Sequence, residues 1–285
     1  MDITPIAQNA LHASGMLNRG VYALNAYSIL IAGEPLRYSP IFSLEIFFHY
    51  FLPDDVAWIW YFDRQGAIQT TGVNFIQDLP YLAALLFAFQ RFSVRNWGFE
   101  PSLQNSNNIF APFSMTFPEE GRRPLKVLVN PSDMIYDSLT LHGRSTRVFA
   151  ASTNSKKRDS NRVRLSNRNL VAKIYWPEES RINEAMAIQR AHDLLKNSAL
   201  EQHLPTVICW KDFQHRTGDI REELGLTDEI TKSRVLRVLV AIRLEPLGSL
   251  KNEETFFDGW KGCFQCRCSL PCLAASFAYR LCRSS

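Results

Sequence analysis

The stretch "NLVAKIYWPEESRINEAMAIQRAH", Asn169–His192, sets a lysine inside an apolar run and a glutamate eleven residues further on. Its reading decides the fold. Strand alternation puts Val171, Lys173 and Tyr175 on one face and Ala172, Ile174 and Trp176 on the other. Pro177 suits the first turn of a helix, where its missing N–H is no loss, and Glu178 and Glu179 complement the positive end of the helix dipole. The spacing therefore predicts a helix from Pro177. Along it Glu184, Ile188, Ala191 and Leu195 recur at helical spacing, so the glutamate shares the apolar stripe that faces the sheet. A lone buried carboxylate or ammonium is costly, and pairing Lys173 with Glu184 removes both penalties. In the other arrangement Lys173 snorkels to the sheet edge, Glu184 sits on the helix flank, and the two never meet. The pattern alone leaves both open.

On either side of this stretch lie short strand-like runs: "LKVLV", "DSLTLHGRSTRVFAAST", "TVICW" and "RVLRVLVAIRLEPL". Several strands with one interposed helix predict an antiparallel sheet with a helix packed on one face, an α+β layer. Upstream, residues 23–31 and 56–62 read as two strands, the second ending in the turn "DRQG". Residues 81–92 are apolar nearly all round and long enough for a buried helix. A stretch rich in Asn, Pro and Gly, residues 98–124, reads as a loop and a domain boundary.

Composition narrows the function classes. The chain has 285 residues, 46% hydrophobic and 21% charged, which excludes disorder as the default, and a net charge of +4 does not demand nucleic acid. The amino terminus lacks a basic and then apolar leader, and the greasiest runs fall short of a membrane span. An intracellular protein, cytoplasmic or nuclear, is expected. Lys156–Arg168 holds six basic residues against one acidic, without interleaved aromatics, and reads as a solvated loop rather than a nucleic-acid surface. Five of the six cysteines (Cys263, Cys266, Cys268, Cys272 and Cys282) crowd the last 23 residues. With no second knuckle and no nearby histidine they read as reduced cytosolic thiols or aberrant sequence rather than a zinc site.

A lysine on a central strand, a glutamate on the next helix and a glycine-containing turn between two earlier strands form the plan of a protein-kinase small lobe. The phrases "LHGRSTRVFAA", "LVAKIYWPEESRINEA", "HLPTV" and "RVLRVLVAIRLEPLGSL" resemble, in this order, the fungal-type protein kinase domain of mushroom-forming fungi. "WYFDRQGAIQTTGVNFIQDLPYLAALLFAFQRFSVRNWGFEP" looks like the segment that precedes the lobe in that family. The resemblance runs from about Ala10 to Cys266 and implies a kinase-like small lobe, residues 125–266, after a mixed α/β family-specific extension, residues 1–124. The large lobe is absent from this reading.

The resemblance also implies roles. Lys173 resembles the lysine that contacts the α- and β-phosphates of ATP, Glu184 its helix partner, and Val171 a residue lying against adenine. Gly143, Arg144, Thr146 and Val148 stand where a kinase has its glycine-rich hairpin, here with a single glycine. Glu245 and Leu247 fall in the hinge whose backbone would hydrogen-bond adenine.

Phosphoryl transfer in the family also needs H-R-D-x-x-x-x-N and D-F-G to supply a base and Mg²⁺ ligands, and neither motif occurs in this sequence. "HRTGD", His215–Asp219, lacks the third-position aspartate, precedes the hinge strand and reads as an exposed loop. Residues 32–53 have no family counterpart and read as an aberrant insert; residues 267–285 read as an aberrant tail. The expected function is thus the ATP-binding part of a kinase, inactive by itself. The alternative is a non-catalytic module docking on other proteins through the uncovered lobe interface.

Overall fold

The computed structural model describes residues 25–32, 56–93, 111–118, 124–138, 140–154, 169–226, 232–244 and 253–269 for the most part, with a few residues between them and near the amino terminus. Among the described residues two antiparallel sheets and few helices give an α+β architecture.

The first sheet is organised by β2, Val56–Asp63, whose β-branched and aromatic residues favour an extended chain. It pairs with β1, Asn25–Ala32, along its whole length, from Asn25 opposite Asp63 to Ala32 opposite Val56. Ala32 and Val56, the described residues on either side of positions 33–55, are cross-strand partners. Positions 33–55 contain nearly all of the expected insert and lie outside the described residues. β3, Ala67–Gln69, and β4, Val73–Asn74, both pair with β2. In the turn into β3 the Asp63 carboxylate accepts the N–H groups of Gln65 at 2.8 Å and Gly66 at 3.0 Å. Gly66 takes φ +152°, which a side chain would resist.

The expected apolar helix forms at Leu79–Gln90, but it is not the buried helix its composition suggested. Among its residues Phe89 alone is buried, while Tyr81 is 72% exposed and Phe87 54%. Phe92 and Trp97 close on Phe89 from one side. Periodicity reports which residues can be buried; whether they are depends on neighbours it does not see.

The second sheet has six strands in the order β5-β6-β7-β8-β10-β9, all antiparallel. β5, Phe113–Phe117, lies inside the stretch read as loop. Its alternating Phe113, Met115 and Phe117 are buried opposite Val129, Val127 and Leu125 of β6, Leu125–Asp137. The surrounding Asn, Pro and Gly residues masked a strand period only five residues long. β6 also runs past the expected "LKVLV". It accommodates Pro131 where its pairing with β7, Arg147–Ser152, jumps from Val129–Ala151 to Met134–Phe149, so the missing N–H is harmless.

β8, Leu170–Tyr175, lies between β7 and β10, Val235–Ile242; β9, Val207–Arg216, forms the far edge. One face of the sheet is dry, with Phe149, Ala172, Ile174, Val238 and Val240 packed with the β5 and β6 residues and Phe213. The other face carries Lys173 and Tyr175, with Leu239 and Ala185 packed beside Tyr175.

The helix over this second face spans Glu184–Leu194, not from Pro177 onward. Residues 177–179 instead continue along the start of β10: the Pro177 carbonyl accepts from Val235 N–H, and Glu179 N–H donates to Ser233. Asn183 then caps the helix by accepting the Ala185 N–H at 2.8 Å. Of the expected stripe Ile188 and Ala191 are buried, while Glu184 and Leu195 are half-buried, and Ala185 is buried beside them.

His215–Asp219 is also corrected. His215 and Arg216 end β9, Thr217 and Gly218 are buried, and a short helix covers Gly218–Glu223. The expected exposed loop is a junction packed beneath the first sheet's turn. In the basic run Leu165 is buried, so that run is not wholly solvated; most of it lies outside the described residues. The last described helix, Glu253–Ser269, carries Cys263, Cys266 and Cys268, whereas Cys272 and Cys282 lie outside. No described helix is long and apolar enough to cross a membrane.

Candidate functional site

Lys173 and Glu184 meet. The Lys173 Nζ donates to Glu184 Oε1 at 2.6 Å and Oε2 at 2.7 Å, so the carboxylate holds the ammonium with both oxygens. The lysine comes from the middle of β8 and the glutamate from the first residue of the helix. Their side chains remain 22% and 17% exposed, so the pair is neither sealed nor free in water. Tyr175, two residues along the same face, lies under the ammonium, 4.6 Å from Nζ to ring centroid. Burial pushes the Tyr175 hydroxyl well above its ordinary range; Glu184 adds to the rise and Arg237 opposes it. The phenol therefore stays neutral beside the carboxylate.

Further support comes from the sheet edge. Arg237 of β10 grips Asp212 of β9 with two bonds of 2.6 and 2.8 Å, and Asp212 accepts a longer bond from the Asn183 side chain. Asn183 in turn caps the helix that starts with Glu184. The glutamate's position is thus fixed by the strands as well as by its own helix.

The other residues singled out in the sequence are placed as follows. Val148 is the cross-strand partner of Lys173, and Val171 shares the lysine's face; both are half-buried. Thr146 is buried just before β7, and its carbonyl closes the β6–β7 hairpin by accepting the Ser138 N–H at 3.0 Å. The Arg144 carbonyl accepts the Trp176 N–H at 2.7 Å, tying the hairpin to the end of the lysine strand. Gly143 has φ +97°, so glycine is the fitting residue, and its N–H donates to the Arg64 carbonyl at 2.9 Å. Ser145 takes φ +37°, a left-handed conformation that costs energy unless its surroundings enforce it. The Ser145 and Thr146 hydroxyls are buried without a hydrogen-bond partner among the described residues. Glu245 and Leu247 lie outside the described residues.

Sequence reasoning missed a second cluster altogether. Asp63, Arg64 and Gln65, read only as a turn, are 0%, 2% and 7% exposed. Asp63 takes a two-pronged ion pair from Arg221, whose Nη2 lies 3.0 Å from Oδ1 while Nη1 reaches Oδ2. Gln65 Oε1 accepts the Thr217 hydroxyl at 2.7 Å. Arg64 Nη1 donates to the Thr140 carbonyl at 2.6 Å and Nη2 to the Leu17 carbonyl at 2.7 Å. Burial, with Arg147 adding to it, pulls the Arg64 guanidinium down to about 9, while Asp137 and Asp63 oppose the drop. At neutral pH it still carries its proton. Only the density of charge in "DRQG" hinted at any of this, and charged turns are ordinarily solvated.

Among the described residues no three metal-ligating side chains converge. The family model described as fungal protein kinase matches residues 48–256, well over half of the chain. That span is shorter than the resemblance drawn from the quoted phrases. No curated protein and no solved structure matches.

Proposed function

The chain belongs to the fungal protein kinase family, and we propose that its six-stranded sheet and the helix Glu184–Leu194 form a kinase-like small lobe that binds ATP. In this reading Lys173 meets the α- and β-phosphates while Glu184 holds it in place. Val171 lies against the base, and the hairpin segment carrying Gly143, Arg144, Thr146 and Val148 borders the phosphates. Glu245 and Leu247 would offer hinge backbone to adenine.

The observation that carries the reading is the ion pair between Lys173 and Glu184, held by a capped helix and left partly open to solvent. Partial exposure lowers the desolvation cost of any such pair, and here it also leaves the Lys173 ammonium within reach of an incoming anion.

ATP supplies the transferable phosphoryl group in the family. The residues here bind and orient, and no base or metal-ligand role falls to any of them, because H-R-D-x-x-x-x-N and D-F-G are not in the sequence. These residues by themselves are therefore proposed to hold nucleotide without transferring phosphate. Mg²⁺ enters no step assigned to them.

The test is nucleotide-induced thermal stabilisation. ATP should raise the melting temperature of the protein, and Lys173→Ala and Glu184→Ala should abolish the rise. An unchanged rise in both variants would sink the assignment.

A second reading, docking on other proteins, is favoured by exposed apolar side chains flanking Glu184 in the sequence: Ile182 at 61% and Met186 at 44%. A defined complex formed without nucleotide, and lost on Ile182→Asp with Met186→Asp, would support it.

A further inference from the structure

The hairpin between β6 and β7 raises a physical problem. It has one glycine, at 143, and, among the described residues, one non-glycine residue, Ser145, in the left-handed region. A loop so poor in glycine has little freedom to settle its own backbone against a ligand. The left-handed Ser145 backbone in particular persists only where its surroundings enforce it.

The holding groups come from outside the six-stranded sheet. Arg64 donates to the carbonyls of Thr140 and, at 3.4 Å, Leu141, and its own carbonyl accepts the Gly143 N–H. The hairpin is thus gripped through three backbone groups by one residue of the first sheet's turn. Leu141 also packs against Ala13, Leu17 and Phe62, the small core on that side of the protein. Arg64 itself cannot drift, because each chain neighbour is anchored. Asp63 is clasped by Arg221, and Gln65 by Thr217, whose hydroxyl also accepts the Arg234 N–H at 2.8 Å.

We propose that Arg64 is a positioning residue for the nucleotide site: the turn Asp63–Gly66 fixes the conformation of the hairpin, including the strained backbone at Ser145. Its bearing on nucleotide rests on the function proposed above; its bearing on the hairpin does not. The amino-terminal sheet is then a working part of the site. Anything that lifts the turn off the lobe releases the hairpin and weakens phosphate binding, while adenine binding stays.

Two measurements on the full chain test this. The first is amide hydrogen exchange without nucleotide. Arg64→Ala should speed exchange at residues 140–146 by about tenfold or more and leave Leu170–Tyr175 unchanged. The second compares ATP with adenosine in titrations. The variant should lose about tenfold in ATP affinity and nothing for adenosine, a split that a general loss of structure does not produce. Arg64→Lys keeps the charge but cannot reach Thr140 and Leu17 together, so it should fall between wild type and Arg64→Ala; it carries both measurements if the alanine variant does not fold. Unchanged hairpin exchange overturns the proposal, and so does an equal loss for ATP and adenosine. If wild-type protein binds neither ligand, the ATP reading fails while the exchange result still decides whether Arg64 holds the hairpin.

Discussion

Two ion pairs in this protein look alike on paper and differ in what they can do. Lys173–Glu184 joins a strand to the next helix, eleven residues apart, and keeps about a fifth of each side chain in contact with solvent. Asp63–Arg221 joins residues 158 apart, has side chains 0% and 8% exposed, and is enclosed by Gln65, Thr217 and the turn itself. The open pair can share its cation with an incoming anion. The sealed pair has no room for one, and its work is to hold the first sheet against the second. Similar chemistry thus serves as a candidate site in one place and as scaffold in the other, and access to solvent separates them.

The largest effect should come from breaking the sealed pair on one side. Arg221→Ala leaves the Asp63 carboxylate buried and unmatched, and should cost about 3–5 kcal/mol in urea or thermal unfolding. Replacing both partners together, Asp63→Leu with Arg221→Met, should recover much of that loss, because the charge that needed a partner is gone. A single variant as stable as wild type would break the comparison.

Breaking the open pair should cost less. Lys173→Ala removes a charged hydrogen bond that solvent partly replaces, and should lower stability by about 1–2 kcal/mol. Its effect on ATP-induced stabilisation should be complete. A variant that is strongly unstable yet still stabilised by ATP would reverse the roles assigned to the two pairs.

Asn183→Ala sharpens the same point at a distance. It removes the helix cap and the contact to Asp212, and should cost about 1 kcal/mol together with a weaker ATP response, since Glu184 opens the helix that Asn183 caps. The smallest effect belongs to Arg216, which faces Asp219, Glu179 and Glu222 on the surface. The acidic neighbours hold its guanidinium above its usual range, Asp219 most of all. Even so, Arg216→Ala should move the melting temperature barely at all and only at low salt, because exposed pairs are screened.

The lysine strand, the inward glutamate and the buried stripe of Ile188 and Ala191 were legible because strand and helix periods are local signals. The helix start was not. Pro177, Glu178 and Glu179 satisfy the rules for a first turn, but their backbone instead pairs with the beginning of β10, a partner more than fifty residues away. β5 was missed because five alternating residues lie in a stretch whose composition reads as loop. The apolar helix Leu79–Gln90 was recognised as a helix and misjudged as buried. Burial belongs to a pair of surfaces, and composition describes one of them.

The sequence by itself determined the α+β class, the strand that carries Lys173, the helix that carries Glu184 and the family, because each rests on spacing within a few residues or on phrases that recur as units. Only the tertiary structure decided that the lysine and glutamate meet rather than diverge. It alone also decided that Asp63, Arg64 and Gln65 are buried against Arg221, Thr217 and the Gly143 hairpin. Those contacts close loops of more than seventy residues, and no local pattern encodes which distant carbonyl or carboxylate will lie within reach once the two sheets come together.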